Sequence, residues 1–332
     1  DGDLHSVPIS RSLSATNDYL KENLVNITLG VTHKFTDKLS FNATYLNSSY
    51  DEDLREHNQA NAYVKLADGS ESPSRILMQC LIRQRHFRNN SFNTYFNYDV
   101  TTGPLRHRIL LGYDYFQMAQ QAGSSAMTAG GYLLKDGTTT TVFKPANIAR
   151  YVLDTDGNPK TNVPYYDLTS NDNNIERDYS KYVFVSTALT PYLQYSHGIY
   201  LQEQLEAGPV KLLLGIRQEF FTDVLNYKTN KETRTTQHAF IPRIGAVVTI
   251  NKNLNVYGTW VKGFEPQSAS VQGNPNAGGP FDPEYSQLLE AGLKGEWFDK
   301  RLSTTLSFFH LQKRNTLYNA NDPSNPERLE QV

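Results

Sequence analysis

The sequence predicts an all-β protein: a partial antiparallel β-barrel that crosses a membrane with strands. Three observations carry this expectation. Apolar and polar residues alternate with period 2 along about ten segments of roughly ten to fourteen residues. The connections between these segments are short and long by turns. Charged residues recur on the polar faces of the segments, where a dry core would have to bury them. Soluble strands usually run to about five or six residues, whereas a tilted membrane-crossing strand needs about 9–11.

The clearest strand is 105–116. Leu105, Ile109, Leu111, Tyr113 and Tyr115 share one face with His107, and Arg106, Arg108, Gly112 and Asp114 share the other. Successive side chains point to opposite sides of a strand, so this pattern sets one face in an apolar medium and one in a polar medium. Segment 210–223 repeats it, with Val210, Leu212, Leu214, Ile216 and Phe220 against Lys211, Gly215, Arg217, Glu219 and Asp223. Segment 25–35 does so again, with Val25, Ile27, Leu29, Val31 and Phe35 on one side. Fainter versions lie at 39–50, 88–101, 193–206, 237–250, 254–264, 286–298 and 301–314.

Short turns are expected at 36–38, 102–104, 207–209, 251–253 and 298–300, each holding Gly, Pro, Asn or Asp. Long polar segments fall at 52–84, 120–190, 225–236 and 265–285, and residues 1–20 read as the tail of another. One end of the sheet therefore collects the short turns and the other the long loops, as in an outer-membrane barrel with short periplasmic turns and long extracellular loops. Segment 120–190 is too long for a structureless connector and reads as an ordered loop or cap. Phe35, Tyr45, Tyr115, Phe220, Phe298, Trp260 and Trp297 fall near strand ends, where aromatic girdles belong.

Composition agrees. The 332 residues include 21 Tyr and 16 Phe but 2 Trp and 3 Met, with 20% charged residues. Mean hydropathy is polar, at −0.55. Such aromatic content excludes a disordered chain. No run of about 18 apolar residues is present to form a transmembrane helix. The single cysteine, Cys80, excludes a disulfide framework and a cysteine-rich zinc site. A net charge of −2 offers no bulk attraction for nucleic acid. The chain starts at Asp1 without a secretory leader and stops at Val332 after a polar stretch, and both ends read as cuts within something larger.

Segment 281–315, FDPEYSQLLEAGLKGEWFDKRLSTTLSFFHLQKRN, resembles a late-barrel hairpin of TonB-dependent siderophore receptors. The shared features are the Pro280–Glu284 lead-in, the Glu290/Gly292/Lys294 strand, the Phe298-Asp299 turn and the closing Lys313-Arg314-Asn315. The stretch from Pro242-Arg243-Ile244-Gly245 to Lys262-Gly263-Phe264-Glu265-Pro266-Gln267 is similar to the preceding hairpin, and most of 20–320 follows the family's order. The resemblance implies a 22-stranded barrel of which about ten strands are visible. It places 1–332 as part of one barrel domain, with the family's plug domain, TonB-binding segment and final strands absent. It also implies the function: an outer-membrane receptor of a bacterium that takes up ferric siderophores with energy from the TonB complex, surrounded by outer-membrane lipid. No cofactor, catalytic residue, protein ligand to iron or nucleic-acid partner is expected. The alternatives are TonB-dependent uptake of haem, a vitamin or an oligosaccharide, an outer-membrane barrel enzyme, and a soluble extracellular β-sandwich.

Within that resemblance five residues are ligand candidates at the outer rim. Arg83, Arg85, His86 and Arg88 form the densest basic cluster, and Arg85 is the one expected to attract an anionic chelate. Phe116 and Phe221 fall on polar faces near the outer ends of their strands, and Phe264 and Tyr285 flank an external loop. Aromatic side chains give rigid contact area at small entropic cost. The eight dispersed histidines form no metal-ligand spacing. Asp154-Thr155-Asp156-Gly157-Asn158 lacks the glycine position and distal Glu of a calcium loop and reads as a turn.

Overall fold

The structure, a computed structural model, describes residues 12–170 and 176–332. Ten long strands follow one another as antiparallel neighbours in chain order. They are β1 (Tyr19–Lys34), β2 (Leu39–Lys65), β3 (Glu71–Thr102), β4 (Leu105–Gln120) and β5 (Tyr192–Ala207). There follow β6 (Val210–Leu225), β7 (Thr233–Asn251), β8 (Leu254–Glu265), β9 (Glu284–Trp297) and β10 (Leu302–Arg314). Segments 105–116 and 210–223 lie wholly inside these strands, and 25–35 does so up to Lys34, with Phe35 already in the turn. All five expected short turns are present. Gly103 and Gly208 take left-handed φ values of +58° and +57° in two of them, where a Cβ would be strained.

Registers confirm the two faces. Asp99 pairs with Arg108, and Asp114 pairs with Gly198, which in turn pairs with Glu219. These polar positions therefore share a side of the sheet, because directly opposite residues point the same way. Leu111 and Leu201 are paired on the other side, and both are exposed.

One of the expected loops is mostly strand. Within 52–84 only residues 66–70 leave the ladder, because β2 runs on to Lys65 and β3 begins at Glu71. The reason is burial on both sides. Leu77 packs with Val64, Tyr132 and Tyr151, while its neighbour Met78 joins Cys80, Ala129, Val163 and Tyr166 on the opposite face. A strand covered on both faces has no polar side to alternate with. Likewise 225–236 shrinks to 226–232, and 265–285 becomes a connection from 266 to 283 that holds a short helix, Ala269–Gln272. The reading of 1–20 as a loop tail lies partly outside the described residues, and Tyr19 already belongs to β1.

The chain divides into two compact units. One combines residues up to Leu24 with Tyr50–His86 and Gln121–Thr190, and the other combines Val25–Ser49, Phe87–Gln120 and Pro191–Val332. In the first unit the described residues of the 121–190 excursion build strands onto β3. Its strand Ser125–Ala129 pairs with Cys80–Gln84 of β3 and with Val185–Ala188, and Tyr166–Asp167 pairs with Arg75–Ile76. Burying its aromatic and aliphatic side chains contributes about 1.5–3 kcal/mol each. At Asp154 the carboxylate accepts from the backbone N–H groups of Asp156 (3.0 Å) and Asn158 (2.9 Å), which makes this segment the tight turn expected. His57 links Asp18 (Nδ1 to Oδ1, 2.6 Å) to the Tyr182 hydroxyl (3.2 Å), and burial pushes that hydroxyl up to about 12. Arg55 stacks between the rings of Tyr19 (4.8 Å) and Tyr179 (3.9 Å).

Candidate functional site

The polar face of the second unit carries a ladder of side chains built on glycines. Arg217 of β6 lies across Gly198 of β5 and reaches Asp114 of β4 with two hydrogen bonds of 2.6 and 2.7 Å. It also donates to Glu219 on its own strand. Arg243 of β7 lies across Gly215 of β6 to reach Gln202 of β5. Tyr200 of β5 lies across Gly112 of β4, and its hydroxyl accepts from Asn93 Nδ2 of β3 at 3.3 Å. Three times a long polar side chain crosses one strand and ends on the next but one. A Cβ at any of these glycines would stand within 3 Å of the crossing side chain. Glycine inside a strand marks such close approaches. A cavity of 340 Å³ lies against the ladder, lined by Asp114, Tyr200, Arg217 and Arg243 among others.

One step along β5 toward the long connections stands a transverse row. Phe116 of β4 pairs with Ser91 of β3 on one side and Ser196 of β5 on the other. Ser196 pairs with Phe221 of β6, and Phe221 with Gln237 of β7. All five side chains share the polar face. Phe116 is 48% exposed, an aromatic on a side otherwise rich in charge. Next to Phe221 the connection 266–283 is tied down. Gln237 accepts from the Gln267 N–H (2.7 Å) and Asp223 from the Ala269 N–H (2.8 Å). The other carboxylate oxygen of Asp223, a residue 2% exposed, has no hydrogen-bond partner among the described residues.

The remaining candidates are placed differently. Phe264 and Tyr285 are a cross-strand pair, with ring centroids 6.0 Å apart. Their register sets them beside the Trp260–Leu289 pair and opposite the Thr259–Glu290 pair, so they belong to the apolar face. Arg85 lies in the first unit and shares a face with Arg83, as parity predicts. Both guanidinium groups grip the carboxylate of Glu52, with Nε–Oε1 distances of 3.0 Å for Arg85 and 2.7 Å for Arg83. Burial alone would raise the Glu52 carboxyl, but hydrogen bonds from Arg85, Arg83 and Tyr50 outweigh it and hold it at about 2. The charge of Arg85 is therefore largely spent inside the protein.

Sequence reasoning missed Glu52, because nothing in a charged segment tells which carboxylate ends up buried. It also missed Ser196 as the centre of the aromatic row, which register alone reveals. The first unit holds a larger cavity, of 580 Å³. Acidic and basic side chains line it in equal numbers, Asp156, Asp178, Arg177 and Lys181 among them, so it presents little net field to an anion. Among the described residues no cluster of His, Cys, Asp or Glu could hold a metal ion, and no helix is long and apolar enough to cross a membrane.

Comparison with known proteins adds to this geometry. The family described as "TonB dependent receptor-like, beta-barrel" matches residues 3–329. The metal-pseudopaline receptor CntO of Pseudomonas aeruginosa is 37% identical over 134 residues, which cover 38% of this chain and 18% of that protein. The ferripyoverdine receptor of the same organism is 33% identical over 110 residues, covering 31% and 13%. Among solved structures, the ferric-catecholate import receptor Fiu of E. coli K12 in its closed form superposes with a TM-score of 0.64 at 14% identity, over 96% of this chain and 44% of that one. The siderophore receptor PiuA of Acinetobacter baumannii gives 0.62 at 16% identity, over 89% and 41%. The chain thus spans less than half of each of these two structures, and at such identities they share its fold.

Proposed function

Since the chain belongs to the TonB-dependent receptor-like β-barrel family, we propose that it forms part of a bacterial outer-membrane receptor that takes up ferric siderophores with energy from TonB. Members of the family are outer-membrane receptors. The observation that carries the reading to a ligand is the exposed Phe116, with Phe221 two strands away across Ser196, on a face of charged and hydroxylated side chains. A bulky ferric chelate presents both apolar and hydrogen-bonding surface, and such a face can meet both. Phe116 and Phe221 are the residues we assign to contact. Arg85, through its shared carboxylate, and the Phe264–Tyr285 pair support the rim.

No bond needs to be made or broken in the ligand, so the work is recognition and passage rather than catalysis. The iron arrives as cargo, already held by its chelator. A second reading, uptake of another metal's chelate, draws on the 37% identity to the metal-pseudopaline receptor. The test is growth in iron-limited medium of a bacterium that lacks its own siderophore uptake and produces this receptor. A panel of ferric chelates, haem, cobalamin and oligosaccharides is supplied in turn. Rescue by ferric chelates is expected, and nutrient uptake confined to an oligosaccharide sinks the siderophore reading.

A further inference from the structure

We propose that the apolar side of β8, β9 and β10 holds the phosphoryl group of a membrane lipid between Lys262 and Arg314. The inference rests on the reading of this chain as part of an outer-membrane barrel, and it concerns the face opposite the ligand candidates Phe116 and Phe221. Rows across the three strands show where the chemistry of that side changes. Val256–Leu293–Leu306, toward the short turns, is apolar, and all three side chains are exposed. The two rows nearest the long connections are Lys262–Gln287–Gln312 and Phe264–Tyr285–Arg314. Lys262 stands eight residues beyond Leu254, where β8 begins. At about 3.4 Å per residue and the usual strand tilt of about 40°, that is about 20 Å of height, close to the top of an apolar band about 25 Å tall.

Lys262, Tyr285, Gln287, Gln312 and Arg314 line one cavity of 380 Å³, and no carboxylate lines it. Among the described residues neither Lys262 nor Arg314 forms an ion pair. The adjacent Lys313, on the other face, is paired with Glu284 at 2.6 Å. The carboxylate thus stays on the inner side, and the outer cavity keeps two free positive charges. Arg314 Nη2 lies 3.5 Å from the Gln312 side-chain oxygen, and Lys262 Nζ lies 5.7 Å from the Trp260 ring centroid. Both cations therefore lie along the outward surface. A guanidinium offers paired N–H groups to phosphoryl oxygens, and an ammonium adds a point charge. Basic pockets at the edge of a membrane-spanning surface bind phosphorylated headgroups in this way. The acyl chains of the same lipid continue over the apolar rows below. A soluble anion would gain the two charges but not those rows, which favours a lipid over free phosphate.

The probes are dimyristoyl phosphatidic acid and dimyristoylglycerol, which share their acyl chains and differ by the phosphoryl group. Native mass spectrometry of the whole receptor in detergent reads how much of each stays bound. Phosphatidic acid is expected to be retained about tenfold more, because each basic side chain near a lipid surface adds severalfold. Lys262→Gln combined with Arg314→Gln should remove most of that preference. Lys300→Gln combined with Arg301→Gln deletes two charges at the short-turn end and should leave it intact. Excess inorganic phosphate should not displace the lipid. Heat-modifiable gel mobility confirms that each variant is folded. Equal retention of the two probes, a preference kept without Lys262 and Arg314, or an equal loss without Lys300 and Arg301 overturns the site. Displacement by inorganic phosphate assigns the cavity to the free anion and overturns the lipid. The Lys262/Arg314 variant should still support growth on ferric chelates, so the lipid site and the uptake reading fail separately.

Discussion

Arg217 lies across Gly198 with its guanidinium where a β-carbon would be, 2.2 Å from the Cβ position to the nearer nitrogen. The absence of a side chain at one position thus fixes the reach of another two strands away. Gly198→Ala pushes the guanidinium off its path. Because the displaced atom is the end of a flexible side chain, the backbone stays in place while the bidentate bond to Asp114 is lost. The expected cost is about 2 kcal/mol, in the range for a charge-assisted hydrogen bond. Urea-driven unfolding from lipid bilayers measures it. In a double-mutant cycle the cost should vanish when Asp114 is already Asn, and strict additivity would show that the two residues are uncoupled.

Gly131 offers the contrast. Its φ is +70° and an added Cβ would meet the Thr140 carbonyl oxygen at 2.2 Å, a backbone atom that cannot swing away. Gly131→Ala should therefore cost more than about 3 kcal/mol within the 121–190 excursion. Limited proteolysis should cut the variant inside that excursion under conditions where the parent protein resists. Equal resistance would contradict the clash.

Glu52 predicts a pH dependence. Its folded carboxyl lies at about 2, below the ordinary 4.5, so the stabilisation is complete above 4.5 and is lost as pH falls through 4.5 toward 2. The side chain is 3% exposed, and the contribution is on the order of 2–3 kcal/mol. Between pH 6 and pH 3 the first unit should lose stability in the parent protein and much less in Glu52→Gln. That variant begins lower at neutral pH, because two guanidinium groups then face each other without a carboxylate. Parallel pH curves for the two proteins would rule the assignment out.

Cys80 is fully buried among Met78, Ala129, Val163 and Tyr166, and burial pushes its thiol up to about 12. The thiolate is the reactive form, so iodoacetamide at pH 8 should leave the folded protein unlabelled and label it fully in urea. Rapid labelling without denaturant would mean that the cluster opens in the native state.

The strands of the second unit were legible because two different media touch their faces. Residues 105–116 and 210–223 alternate so clearly that their in-and-out assignment survives residue by residue in the registers of β4, β5 and β6. Residues 52–65 and 71–84 were not legible as strands, because protein covers both faces of their central parts, around 52–57 and 76–80, and chemical contrast disappears there. Glu52, Arg55 and His57 are buried there with dedicated partners. Phe116 and Phe221 could be assigned a face by parity, whereas Phe264 and Tyr285 sit at strand ends, where proximity to a loop was a poorer guide than register. Ser196 had no signal of its own, since its meaning comes entirely from what stands to either side.

The excursion 121–190 leaves from Gln120 and returns at Tyr192, and those two residues are already ladder partners. An insertion whose ends are clasped in this way can lengthen, shorten or be exchanged without shifting the alignment of β4 and β5. It behaves as a cassette plugged into a fixed socket. The one obligation on any replacement is to shield Leu77 on one side of β3 and Met78 with Cys80 on the other. Variation between members of this family can thus concentrate in the excursion, while the wall that carries it stays the same.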